Sequence, residues 1–104
     1  MSPSVVNSTR VLPEPVVLYC AKHQILSQLK TAVDLAETHF HPVNHLSVGV
    51  ETDPDVEEDF LVIDVSVAMD ADEVLRRKQA YTRAWLNAAP ADQRERIRLL
   101  YHIL

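Results

Sequence analysis

The chain has 104 residues, 47% of them hydrophobic and 24% charged, with 15 acidic against 10 basic side chains. Those values fit one globular domain and exclude wholesale disorder. A net charge of −5 also excludes a general attraction to nucleic acid or to an anionic membrane.

In chain order, residues 1–15 hold Ser2, Pro3, Ser4, Asn7, Ser8, Thr9, Pro13 and Pro15 without a period, and are expected to form a mobile tail ahead of a single domain over residues 16–104. Val16 to Tyr19 is apolar and reads either as a short strand or as the lead-in to a helix. Ile25, Leu26, Leu29, Ala32, Val33, Ala36 and Phe40 recur at three- and four-residue steps and predict a helix over 21–40, ended by Pro42. Leu46, Val48 and Val50 alternate with Ser47, Gly49 and Glu51, which predicts a strand over 43–52. Gly49 within it marks either a bulge or a close backbone approach.

An acidic turn, Asp53 to Asp59, leads into a second predicted strand over 60–69. There Leu61, Ile63, Val65, Val67 and Met69 form one face; Phe60, Val62, Asp64, Ser66 and Ala68 form the other. The two strands read as an antiparallel hairpin. Asp70 with Glu73 has the spacing of a capping box. The helix that follows turns Val74, Tyr81, Trp85 and Ala88 inward and carries the i,i+4 pairs Glu73–Arg77 and Asp72–Arg76. Pro90 stops it. Ile97, Leu99, Tyr101 and Ile103, alternating with Arg98, Leu100, His102 and Leu104, predict a final strand.

The order α-β-β-α-β predicts an α+β domain with two helices on one face of a small antiparallel or mixed sheet. If residues 16–19 add a strand, the alternative is the ferredoxin-like order βαββαβ. The second face is partly apolar through Phe60, Val62, Ala68, Leu100 and Leu104, which predicts another layer; a second copy of the chain is the expected one.

The run EEDFLVIDVSV, then DEVLRRKQAYTRAWL, then the final IRLLYHIL, resembles a type of short bacterial protein of unknown function that has a helix, an acidic hairpin, a helix with late aromatics and a terminal strand. The resemblance spans roughly residues 21–104 and rests mostly on core pattern. It implies no activity, cofactor or site.

Cys20 is the only cysteine and Gly49 the only glycine. An intramolecular disulfide is therefore excluded, and the lone thiol suits a reducing, cytoplasmic setting. Phosphate-cradling loops and the nucleophile elbow need several glycines for close backbone approach, so none is read here. The apolar stretch after Arg10 is broken by Pro13, Glu14 and Pro15, so no signal-peptide core is expected, and no apolar run is long enough to span a bilayer.

Four groups remain as candidate chemistry. His39, His41 and His45 could offer imidazoles to a metal, or stand as polar residues at a helix end. Cys20 and His23, three residues apart, could form a nucleophile pair, but no third group is placed to orient the histidine. Asp53, Asp55, Glu57, Glu58 and Asp59 match the alternating carboxylates of a calcium loop only in part, since Glu58 stands where the sharp-turn glycine belongs. Finally, residues 76–98 hold seven of the ten basic side chains, including Arg76, Arg77, Arg83, Arg96 and Arg98, while the rest of the chain has three basic and 13 acidic residues. That bipolarity could serve a phosphate backbone or an acidic partner, or could be a solvated helix face.

With no catalytic or cofactor motif read, the leading expectation is a non-catalytic interaction or regulatory module, either a homodimer or an accessory, antitoxin-like subunit of another protein. Its contact residues would include Phe60, Val62, Leu100 and the arginines. The alternatives are a nucleic-acid-binding module using the basic segment 76–98, and a small metal protein or enzyme using the histidines at 39–45.

Overall fold

The structure, a computed structural model, describes residues 12–104. The expected tail falls largely outside the described residues. Helix α1 (Glu14–His23) is followed by α2 (Leu26–His39), β1 (His45–Asp53), β2 (Glu58–Val67), α3 (Ala71–Ala88), a single 3-10 turn (Arg94–Arg96) and β3 (Ile97–Ile103).

The first helical region departs from the expected single helix. Residues 16–19 are helical, not a strand, so the ferredoxin-like alternative does not hold. Pro13 stands at the N-cap and Pro15 in the first turn, where a missing N–H costs nothing. The chain then breaks at Gln24, which takes the left-handed conformation at φ 56. The N–H groups of Gln24 and Ile25 both turn back to the Cys20 carbonyl, a Schellman-type ending with glutamine in the position glycine usually holds. The break swings Ile25 into the core, where it is fully buried.

The sheet has the order β1-β2-β3. β1 and β2 are antiparallel, with Val48 opposite Ile63 and Gly49 opposite Val62. β2 and β3 are parallel, with Leu61 beside Ile97 and Val67 beside Ile103. A parallel neighbour demands a crossover, and α3 with the 3-10 turn supplies it. The mixed sheet and the α+β class agree with the sequence reading.

All three helices lie on one face of the sheet. Val16, Tyr19, Ile25, Leu29, Ala32, Ala36 and Phe40 of the helical hairpin meet Val48, Leu61, Ile63, Val65 and Val67 of the sheet, with Val74, Tyr81 and Trp85 of α3. Asp70 caps α3 by accepting the Glu73 N–H at 2.8 Å, as expected. The Glu73 side chain, however, reaches forward to Arg76 and Arg77, both at 2.6 Å. Asp72 does not pair with Arg76.

Gly49 is neither a bulge nor a close approach. The register runs regularly through it, its φ is not positive, and a Cβ built on it would meet nothing within 4 Å.

Candidate interaction surface

Helices cover the face built from the odd-numbered residues of β2 and β3. The opposite face carries Ser47, Gly49, Glu51 and Asp53 of β1; Phe60, Val62, Asp64 and Ser66 of β2; and Arg98, Leu100 and His102 of β3. These follow from strand alternation and the observed register.

Arg98 lies across this open face. Its guanidinium carbon stands 3.9 Å from the centroid of the Phe60 ring, a cation–π contact, and its tip reaches Asp53 at 3.7 Å. Val62, in register between Gly49 and Arg98, is only 1% exposed. Further along the same face, the His102 Nε2 lies 3.0 Å from the Asp64 Oδ1. The face is therefore not the apolar plane the sequence suggests. Phe60 is half-buried beneath an arginine, and Val62 is closed off and offers no free contact area.

The exposed apolar surface lies instead on β3. Of its seven residues only Ile97 is buried. Leu100 and the following Leu104 are exposed on the open side, and Tyr101 and Ile103 are exposed on the helix side, beyond the cover that α3 provides. Sequence alternation alone assigns Tyr101 and Ile103 to the core. The missed signal is that IRLLYHIL is apolar almost without interruption, the signature of a parallel strand covered on both sides. Here that strand stands at the sheet edge.

Its backbone is open as well. The Leu104 N–H donates to the Val67 carbonyl at 2.9 Å. By strand alternation, the backbone groups of 98, 100 and 102 also turn to β2. Those of Leu99, Tyr101 and Ile103 point away from the sheet.

The basic segment is largely engaged in holding the fold. Arg77 donates from Nε to Glu73 and from one terminal nitrogen to the carbonyls of His39 and His41, at 3.2 and 2.9 Å, stapling α3 to the turn that enters β1. Its hydrogen bond holds the Glu73 carboxyl below the usual range, with Arg76 contributing. Arg94 donates to the carbonyls of Ala89 and Leu86, and Arg98 is held as described. Lys78, Arg83 and Arg96 have no ion pair with another described residue. The arginines thus do not form one shared basic face.

Arg96 instead joins Lys22, His23, Glu57, Glu58 and Asp59 in the lining of a groove of about 540 Å³. Partial burial and then the cations Arg96 and Lys22 push the His23 imidazole below its usual range. The Tyr19 hydroxyl donates to the Asp59 carbonyl at 3.0 Å, and both residues line the groove.

The remaining candidates do not converge. Among the described residues no group of three or more His, Cys, Asp or Glu side chains is placed to hold a metal ion, His39, His41 and His45 included. Cys20 is buried, which pushes its thiol pKa up. His23 packs against the Tyr19 ring, centroids 4.4 Å apart. Within the acidic turn the Asp53 carboxylate accepts the Asp55 N–H at 3.0 Å, and the Asp59 carboxylate accepts the Thr52 hydroxyl at 2.6 Å. Among the described residues no helix is long and apolar enough to cross a membrane.

Comparison with family models, with curated proteins and with solved structures found no match.

Proposed function

We propose that this protein is a non-catalytic interaction module that binds another polypeptide along the β3 edge. One observation carries the reading. β3 is an apolar edge strand with Leu100, Tyr101 and Ile103 exposed, followed by exposed Leu104, and with a row of outward-facing backbone groups. Exposed edge strands template pairing with a further strand, and proteins that remain monomeric blunt them with charge, proline or bulges. β3 has no proline and no carboxylate, and its two basic side chains lie over its own sheet on acidic partners. Strand addition would satisfy the backbone while covering apolar side chains on both faces.

The test is a native mass spectrum of the full chain purified from its own cells at low salt, set beside that of the double variant L100K/I103K. A second polypeptide, a copy or another protein, is expected on the wild type and is expected to be absent from the variant. A wild-type chain that is always a bare monomer, or a complex the variant retains in full, would rule the β3 edge out.

A further inference from the structure

Resting on the reading of β3 as a docking edge, we infer that its occupant is a second copy of the same strand, paired antiparallel about a twofold axis at Leu100. The register follows from which backbone groups face outward. Leu99, Tyr101 and Ile103 present theirs to the free edge, and Ile97 shares that side by alternation. An antiparallel partner must therefore match these positions to one another. Pairing all seven residues of Ile97–Ile103 sets Leu99 opposite Tyr101 of the second copy, Ile97 opposite Ile103, and Leu100 opposite its own equivalent.

Side-chain chemistry agrees with this register. On the helix side it makes two aliphatic–aromatic pairs and two isoleucine pairs, the kinds that stabilise cross-strand contacts. On the open side the two Leu100 side chains meet at the centre. Arg98 falls opposite His102 of the other copy, and this does not bring two bare cations together. Arg98 is 3.7 Å from Asp53 and His102 is 3.0 Å from Asp64 in the same chain, so each half of the seam carries its own carboxylates. The β1 edge is a poor alternative occupant. It presents Ser47, Gly49, Glu51 and Asp53 on the open side, and a β3-to-β1 contact would not close, leaving free edges to propagate. A β3-to-β3 contact closes into a six-stranded sheet with β1 at both ends.

The test is disulfide trapping on the full chain. Residues directly opposite at a non-hydrogen-bonded antiparallel position have Cα atoms about 4.5 Å apart, within disulfide reach. Mild oxidation of L100C should give a covalent dimer in high yield. R98C alone and H102C alone should give little, and a mixture of the two should give the crossed dimer. Wild-type chain controls for Cys20, and V56C, on the exposed hairpin tip, controls for random collision. A solution dimer in which L100C cross-links no faster than V56C would overturn the register while leaving the docking edge standing. A chain that stays monomeric as concentration rises, yet carries a different polypeptide in its native mass spectrum, would overturn the second copy and leave the interaction reading standing. Monomer under both conditions would remove both.

Discussion

The two edges of the sheet are built on opposite plans, although both strands hang on β2. β1 presents an edge of alternating Leu46, Val48 and Val50 with Ser47, Gly49, Glu51 and Asp53. Its apolar side chains lie on the helix side, where Val48 is buried and Leu46 and Val50 pack against the core, and its outer face is polar. β3 exposes large apolar side chains on both sides. Helix cover, not strand composition alone, therefore decides which edge is left open. α1 packs against β1, while the far end of β3 is exposed on the helix side. An edge such as β1 is discouraged from pairing by its own chemistry; an edge such as β3 is not.

Substitutions away from β3 separate what holds each edge in place from what leaves it open, and the largest effect is expected at Arg77. Arg77→Met removes the bonds to His39, His41 and Glu73 that fix the entry to β1. Loss of charge-assisted bonds that leaves carbonyls half-covered costs about 1–3 kcal/mol, read as a lower denaturant midpoint at unchanged slope. The β3 association should persist in that variant as long as it is folded. A midpoint equal to wild type would show that the staple contributes nothing.

A smaller effect, of opposite sign, is expected on β1 itself. Gly49→Val places a side chain in open space beside Val62. A β-branched residue that fits a regular strand position should raise stability by about 0.5–1 kcal/mol. A fall in melting temperature would mean that the open face is more crowded than the structure shows.

Tyr81 supplies a third case beneath both edges. Its hydroxyl is buried with no hydrogen-bond partner among the described residues, and burial drives its pKa far up. Removing an unsatisfied buried polar group is close to neutral or stabilising, so Tyr81→Phe should keep or raise the midpoint, by up to about 1 kcal/mol. A clear loss of stability in thermal melts would reveal a partner for that oxygen.

The smallest effect is on pH dependence. The folded-state pKa of His23 is depressed below 6.5, so the unfolded chain takes up its proton first. The stability linked to His23 is fully present above pH 6.5 and is lost as pH falls from there through the lowered folded value. Glu73, depressed below 4.5, adds a loss of the same sign at still lower pH, complete only below its folded pKa. Because His23 is largely solvated, His23→Gln should flatten the first of these declines only slightly. A decline that becomes steeper in His23→Gln would mean that folding raises the His23 pKa instead of lowering it.

Much of the fold is legible in residue pattern. The hairpin, the Asp70 cap, the stop at Pro90 and the final strand follow from alternation, cap chemistry and proline. The helical hairpin is not legible, because its break rests on a glutamine in the left-handed region and carries neither of the usual punctuators, glycine or proline. The direction of β3 has one local signal, the nearly continuous apolar run IRLLYHIL that parallel strands favour, and that run does not name its neighbour. The interaction surface is half legible. Alternation places Leu100, Val62 and Phe60 on the second face, where they stand, but it does not show that Val62 is closed off or that Arg98 lies over Phe60, because that cover depends on three strands standing side by side. It assigns Tyr101 and Ile103 to the core because it identifies a face and says nothing of how far the covering helix extends.

The most direct measurement of β3 pairing is amide hydrogen exchange, residue by residue, along that strand over a concentration series of the full chain. The Leu99, Tyr101 and Ile103 amides, which point away from the sheet, should become protected as concentration rises. The Leu100, His102 and Leu104 amides, bonded to β2, should stay protected throughout. Outward amides that exchange freely at every concentration would contradict pairing of β3 with a second copy.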